Sequence, residues 1–193
     1  MDEISIDSKK VQFLGVIISI PIIVVFLLIL YFSWNENFGE NFKNIKALFQ
    51  ISDNKKINTF LVLIIPNVII FIAIILHELI HGFFMALFSK KGWESVKFGF
   101  IKKYLMPFAN CIEPLSSKKM LIVALAPFFI LGLLPSIYGF LYNNLFFLFI
   151  GFSMTLGAIG DFIYSYLIFK VGLNHNLLDH KSKVGFIIVD QNI

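Results

Sequence analysis

The chain has 193 residues, of which 58% are hydrophobic and only 15% are charged. A soluble domain of this size rarely carries so little charge, so the composition predicts an integral membrane protein in contact with a lipid bilayer. All 16 basic residues are lysines, and the absence of arginine argues against nucleic acid as a partner. The single cysteine, Cys111, excludes an internal disulfide.

Two long apolar segments occupy the first half of the chain. Residues 11–32 form an almost uninterrupted apolar run, long enough for a helix that crosses a hydrocarbon core of about 30 Å. The run is too long for a signal peptide, and no small-residue cleavage site follows it. Residues 59–88 predict a second and longer crossing helix, kinked at Pro66.

A segment of different character follows the second apolar run. Val96, Phe98 and Phe100 alternate with Lys97 and Gly99, a period of two that predicts a strand. We expect the chain to reverse at residues 107–110 and to form a small hairpin or re-entrant β segment.

Residues 120–142 and 145–169 predict two further crossing helices. The predicted fold class is therefore an all-α polytopic membrane protein with about four transmembrane helices and one small β segment, in a single domain over residues 1–193. A composition rich in Lys, Ile, Phe and Asn is typical of proteins from AT-rich bacterial genomes, so we expect the membrane to be a bacterial cell membrane. With four crossings, the side opposite the termini carries only Lys43, Lys46, Lys55 and Lys56, so the positive-inside rule predicts cytoplasmic N- and C-termini.

The second apolar segment carries His77, Glu78 and His81 in the order HELIH. Residues i and i+4 share one face of a helix, so both imidazoles can bind the same ion while Glu78 lies at its flank. Zn²⁺ accepts neutral imidazole and keeps a coordination position open for water, on which a glutamate can act as general base. The sequence therefore predicts a zinc site with His77 and His81 as metal ligands and Glu78 as the catalytic residue. A chance match in an apolar helix is the alternative.

Asp161 is the one acidic residue in the fourth apolar segment. An ionisable group in mid-membrane costs roughly 2.5–3.5 kcal/mol on insertion scales unless something pairs with it. At a rise of about 1.5 Å per residue, Asp161 and the HELIH residues fall at similar depth, because the second and fourth helices run in the same direction. We therefore expect Asp161 to be the third metal ligand. The alternative is a carboxylate that lines a water-filled cavity or pairs with a lysine.

Small residues on the fourth segment predict that it approaches the second helix closely near Gly82. They are Gly151, Gly157, Ala158 and Gly160. Other potential ligands lie in a predicted loop or in the polar tail, where we expect them to be solvated. They are Glu113, His175, Asp179 and His180.

These residues together resemble a known family. The sequence HELIHG on a long apolar helix, the runs 109–114, 124–127 and 179–186, and the pair Gly160 and Asp161 resemble the putative zincin peptidase family of bacterial membrane proteins, over about residues 60–188. More distantly, the chain looks like the site-2 proteases, which cleave peptide bonds within or beside the membrane. The resemblance implies a metalloprotease in which Asp161 takes the place of the site-2 protease aspartate. In site-2 proteases a glycine follows the aspartate, whereas in this chain Gly160 precedes Asp161.

Three functions follow as hypotheses. The leading one is zinc-dependent hydrolysis of peptide bonds in membrane or membrane-adjacent proteins. The substrate would have to be extended, and Val96, Phe98 and Phe100 could bind it by strand addition or could instead lie on the bilayer surface. The second is a non-catalytic zinc-binding membrane protein that binds or shields a client. The third is a transporter accessory with Glu78 and Asp161 on an ion path.

Overall fold

The computed structural model describes residues 2–34, 43, 53–101, 106–180 and 183–189. Helices occupy all four of the predicted apolar segments. Helix α1 spans Ser8–Trp34 and α2 spans Lys55–Phe88 with Pro66 inside it. Helix α2 begins where the side chain of Asn54 accepts a hydrogen bond from the backbone N–H of Lys56, which satisfies one of the free donors of the first turn.

The third and fourth apolar segments are each interrupted. Helix α3 (Ser117–Pro127) passes through a π-helical turn (Phe128–Leu133) into α4 (Leu134–Leu141). Helix α5 (Leu145–Gly157) and helix α6 (Ile159–Val171) are bent by 47° relative to each other. In the described residues, three helical rods are long and apolar enough to cross a membrane, and there are four if the bent pair counts as one crossing.

The predicted hairpin is confirmed, but its predicted reversal point is wrong. Strand β2 (Val96–Ile101) pairs with strand β3 (Met106–Cys111) in antiparallel register, and residues 107–110 lie inside β3. The connection at residues 102–105 lies outside the described residues. The N–H of Cys111 points to Asp179, away from β2. Pro107 is an even number of residues from Cys111, so its nitrogen also points away from β2. Proline has no N–H to donate, and at this position the pairing with β2 does not need one.

A four-stranded antiparallel sheet joins distant parts of the chain and was not predicted. Its order is β1-β6-β5-β4. The strands are β1 (Glu3–Ile6), β4 (Leu115–Ser116), β5 (Asn176–Asp179) and β6 (Val184–Ile188). Since β1 precedes α1 and β6 follows α6, a chain that crosses a membrane between them must cross it an even number of times. The sheet thus favours four crossings, with α5 and α6 together as the fourth.

The buried core lies at one end of the helices rather than along their length. Met85, Cys111, Met120, Ile168 and Phe186 are buried together, where the end of α2, the hairpin, the start of α3, the end of α6 and the four-stranded sheet meet. By contrast, most apolar side chains of α1 and α2 are exposed. This distribution fits helices surrounded by lipid and capped by a packed extramembrane layer.

The predicted close approach of the fourth segment to the second helix is confirmed, because α5 packs against α2, but the nearest neighbours of Gly82 belong to the hairpin. A Cβ atom at Gly82 would meet the ring of Phe98 and the side chain of Val96, so the hairpin covers this glycine. In the described residues, nothing lies within 4 Å of a Cβ placed at Gly157 or Gly160. Helix α3 packs against both α2 and α6 and brings them into one group.

Candidate metal centre

Three predicted side chains converge at one point. The Nε2 atom of His77 lies 3.0 Å from Oδ2 of Asp161, and Nε2 of His81 lies 3.3 Å from Oδ1 of the same carboxylate. The two Nε2 atoms are 3.2 Å apart. The histidine side chains are only 9% and 10% exposed, and that of Asp161 is 21% exposed. Two helices that are distant in the chain, with His77 and Asp161 84 residues apart, therefore present two nitrogens and one carboxylate to a shared space.

The donor set fits a zinc ion. Zinc–nitrogen bonds of about 2.0–2.1 Å in a tetrahedron place neighbouring donor atoms about 3.3 Å apart. The two Nε2 atoms are 3.2 Å apart, and they lie 3.0 and 3.3 Å from different oxygens of the Asp161 carboxylate, which are separations close to that value. Two imidazoles and one carboxylate are also the ligand types of catalytic zinc sites with three protein ligands. His77, His81 and Asp161 could hold the ion and leave one position for water.

Helix α3 orients one of the histidines. The Nδ1 atom of His81 lies 2.9 Å from the backbone carbonyl oxygen of Val123, and both residues are buried. A carbonyl oxygen can only accept a hydrogen bond, so Nδ1 of His81 carries a proton, and in the neutral imidazole Nε2 keeps its lone pair. Metal-binding histidines are commonly oriented by such a hydrogen bond from the ring nitrogen that does not bind the metal.

The bend between α5 and α6 positions Asp161. Because a new helix begins at Ile159, Asp161 lies in the first turn of α6, where the positive end of the helix dipole favours a carboxylate. The break occurs at Ala158, which is fully buried. The ring of Phe162, the next residue, packs edge-on against Phe128 with ring centroids 4.9 Å apart. The bend and this contact fix the direction from which the carboxylate enters the site.

Glu78 lies beside the donor cluster on the same helix. Its side chain is partly buried, and its carboxylate interacts electrostatically with the backbone of Ala109 in β3. Ala109 also lines the cavity next to His81 and Asp161. The hairpin therefore holds the predicted catalytic carboxylate at the edge of the site.

The three residues predicted to bind substrate are close to α2, and their role stays a prediction. Val96 is buried, whereas Phe98 and Phe100 are each about half exposed. Phe98 packs over Gly82, so Gly82 is needed because a larger residue would displace this ring. It is the partner strand β3, through Ala109, that reaches the cavity.

A cavity of about 110 Å³ extends from the donor cluster. Its lining combines apolar and polar groups: His81, Met85, Ala109, Met120, Val123, Ala124, Asp161, Tyr164 and Asp179. Asp179 was expected to be solvated, and this expectation is wrong, because the residue lines the cavity and is only partly exposed. Burial raises the pKa of its carboxyl above the usual range.

The remaining potential ligands have structural partners. Glu113 accepts hydrogen bonds from the Ser95 hydroxyl at 2.7 Å and from the backbone N–H of Lys90 at 2.9 Å, which lowers the pKa of its carboxyl. His180 lies 3.3 Å from the carboxylate of Glu3. The backbone oxygen of His175 accepts two hydrogen bonds from Ser117. These groups join loops and strands to one another, away from the donor cluster.

Sequence reasoning missed Val123, Tyr164 and Asp179. Tyr164 could have been found, because it lies three residues after Asp161 and so on the same face of α6. No sequence signal pointed to the carbonyl of Val123, since any residue type supplies one. Asp179 depends on a sheet that has no local signature.

Comparison with curated proteins finds no match, and the same holds for solved structures. A family model described as "Putative zincin peptidase" matches residues 70–175, which include His77, Glu78, His81 and Asp161. Zincin peptidases are zinc-dependent proteases that carry the HExxH pattern on a helix. The match covers more than half of the sequence, and it contains the whole donor cluster. The chain therefore belongs to the family described as Putative zincin peptidase.

Proposed function

We propose that this chain is a membrane-embedded zinc metallopeptidase that hydrolyses peptide bonds of membrane or membrane-adjacent proteins. One observation carries the proposal: the metal-binding atoms of His77, His81 and Asp161 lie within 4.8 Å of one another, with Glu78 beside them. Membership of a zincin peptidase family supports peptide bonds as the substrate class. Several long apolar helices support the membrane location.

The residues divide the chemistry between them. A bound zinc ion would supply a Lewis acid that lowers the pKa of water and polarises the scissile carbonyl. Glu78, beside the donor cluster, is the residue that would act as general base and remove a proton from the attacking water. When the C–N bond breaks, the Glu78 carboxyl gives the proton to the leaving amine, so that Glu78 returns to its starting state.

The site lies near the membrane face that carries the hairpin and the four-stranded sheet. His81 is seven residues from the end of α2, which corresponds to about 10 Å along the helix. The lysine distribution supports a cytoplasmic location for that face and for both termini. We therefore expect substrates to be cut in or just beside the cytoplasmic half of the bilayer.

The hairpin offers a way to hold an extended substrate. Ala109 and Cys111 are two residues apart in β3, and the N–H of Cys111 points away from β2. The N–H and C=O groups of Ala109 therefore also point away from β2, toward the outer edge of the hairpin. A substrate strand added along this edge would run past Glu78. The outer edge of β2, at Val96, Phe98 and Phe100, is the second possible strand partner.

The test combines metal analysis with cleavage. Wild-type protein purified in detergent should contain near one zinc per chain, and His77→Ala should lose it. Reconstituted with a library of single-span reporter proteins that carry randomised juxtamembrane segments, the wild type should cleave a subset. Glu78→Gln is the matched control because it keeps all three metal ligands, and it should lower the cleavage rate by about 10²–10⁴-fold.

Each failure points to a different alternative. Full zinc content with no reporter cleaved, unchanged by Glu78→Gln, would contradict proteolysis and favour a zinc-binding protein that shields a client. No stoichiometric zinc in the wild type would contradict the metal centre and favour an ion path through Glu78 and Asp161.

A further inference from the structure

The lining of the cavity beside the donor cluster includes a second polar group, the hydrogen-bonded pair Tyr164 and Asp179, which we call its far end. The lining also includes the apolar residues Met85, Met120, Val123 and Ala124. At about 110 Å³ the cavity is much smaller than the pockets of about 300–1,000 Å³ that bind drug-sized ligands, and it has room for one unbranched side chain.

Asp179 is held by neutral donors only. Its Oδ1 accepts a hydrogen bond from the Tyr164 hydroxyl at 2.7 Å, and its Oδ2 accepts one from the backbone N–H of Cys111 at 2.9 Å. No lysine or histidine within the described ranges forms an ion pair with it. A partly buried carboxylate that has only neutral donors is incompletely compensated, and each of its oxygens retains a second lone pair. A positively charged group could therefore bind here.

We propose that this cavity is a substrate subsite for a primary ammonium group on an unbranched alkyl stem, such as a lysine side chain next to the scissile bond. The inference rests on the proposed function, because it places the substrate between the metal centre and Asp179. The apolar walls would contact the stem, as they do for partly buried lysines elsewhere in proteins. The ammonium would then donate to the free lone pairs of Asp179.

Other side chains fit this cavity less well. An acidic side chain that reached the far end would face the carboxylate of Asp179, and like charges repel strongly in a low-dielectric space. A neutral alkyl side chain would fill the middle but leave the charge of Asp179 unpaired. A guanidinium brings five donors in a rigid plane, and the far end offers only one carboxylate that already accepts two hydrogen bonds.

A purely structural role is the competing explanation for Asp179. The same two hydrogen bonds join β5 to β3 and to α6, so loss of Asp179 would also loosen the fold. The two roles differ in one respect. A structural role predicts no dependence on the charge of a ligand in the cavity, whereas the subsite predicts a preference for a cation.

Two hydroxamates of equal length provide the probe, because a hydroxamate binds zinc without needing to be cleaved. The zinc-loaded full chain is titrated with 6-aminohexanohydroxamate and with hexanohydroxamate, and the zinc-free chain serves as the blank. We expect the amine to bind about tenfold or more tightly than the alkyl compound, which is typical of a hydrogen bond to a charged group. Asp179→Asn should abolish this preference, because both compounds then meet the same uncharged amide.

Two further variants separate charge from folding. Tyr164→Phe removes a hydrogen bond and retains the carboxylate, so the preference for the amine should persist. Asp179→Glu retains the charge on a side chain that is one methylene longer, so this variant should prefer the shorter amine, 5-aminopentanohydroxamate. If Asp179→Asn does not fold, this change in the preferred length distinguishes a subsite from a purely structural role.

Equal affinities for the two hydroxamates in the wild type would overturn the subsite, and so would a preference that survives Asp179→Asn. If neither compound binds the zinc-loaded chain, the cavity does not open to the metal centre, and the proposed subsite is wrong. If the preference appears but no reporter protein is cleaved, the subsite stands and proteolysis fails.

Discussion

The two ends of one cavity hold the same type of residue in opposite surroundings. Asp161 meets two imidazoles at 3.0 and 3.3 Å, whereas Asp179 meets only a tyrosine hydroxyl and a backbone N–H. The first group of ligands suits a metal ion that stays with the protein. The second leaves a negative charge for a partner that arrives from outside. Surroundings, rather than residue type, thus assign each aspartate its role.

The two ends also depend on different parts of the fold. Asp161 is brought to His77 and His81 by helices alone, with α3 packed between α2 and α6. Asp179 reaches the cavity only because β5 lies between β4 and β6 in the four-stranded sheet. Changes at one end should therefore have limited effects at the other, and the predictions below test this separation.

The largest expected effect is the loss of zinc on His81→Ala. This change removes a ligand atom and also the hydrogen bond to Val123 that orients it. Zinc affinity should fall by more than the 10- to 100-fold that is typical of losing an outer-shell partner. Competition with a chelator of known affinity measures the change. His180→Ala is the control, because His180 lies beside Glu3 and outside the donor cluster. This variant should bind zinc as tightly as the wild type. Equal losses in both variants would contradict the assigned site.

The second prediction compares the two carboxylates directly. Asp161→Asn should weaken zinc binding at least about tenfold, because the amide is a much poorer metal ligand than a carboxylate. Asp179→Asn should leave zinc affinity within about twofold. The same competition assay measures both variants. If Asp179→Asn weakened zinc as much as Asp161→Asn, the two ends would not be separate.

The third prediction concerns the link between Tyr164 and Asp179. Tyr164→Phe removes a hydrogen bond to a buried carboxylate and should lower the free energy of unfolding by about 1–3 kcal/mol. Thermal unfolding in detergent, with and without zinc, measures the loss. Zinc content should remain unchanged, since Tyr164 donates to Asp179 and not to Asp161. An unchanged unfolding midpoint would show that this hydrogen bond contributes little.

The smallest effect should appear at Cys111. Its side chain is fully buried, and burial raises the pKa of the thiol, so native protein should react slowly with maleimide. Asp179→Asn weakens the hydrogen bond to the backbone N–H of Cys111 and should speed the reaction several-fold. His77→Ala, at the other end of the cavity, should not. Equal acceleration in both variants would show that the two ends open together.

Sequence alone could predict most of the metal centre. The spacing of His77 and His81 fixes their common helix face, and helix direction with rise per residue predicted the depth of Asp161. The reason for their approach could not be predicted. Helix α3 brings α2 and α6 together, whereas small residues such as Gly157 and Gly160 have no close neighbours among the described residues. Which helix packs between two others is a property of the whole fold.

The sheet and the Asp179 end could not be predicted, for a physical reason. Ile4 pairs with Phe186 across more than 180 residues, and such pairing leaves no local pattern in either short strand. The hairpin was predicted because its strands are neighbours and alternate in polarity. Its turn was misplaced because Pro107 normally signals a break, whereas in β3 its nitrogen lies on the outer edge.

The pairing of β1 with β6 also sets an order of events during synthesis. Strand β1 leaves the ribosome before any crossing helix, and β6 follows only after all of them. The three metal-binding side chains can meet once α6 has been inserted, before the sheet closes. The Asp179 end is completed last, when β5 and β6 join β1. A nascent chain could thus acquire its metal before its subsite, so the protease would gain substrate selectivity only as its final strands dock.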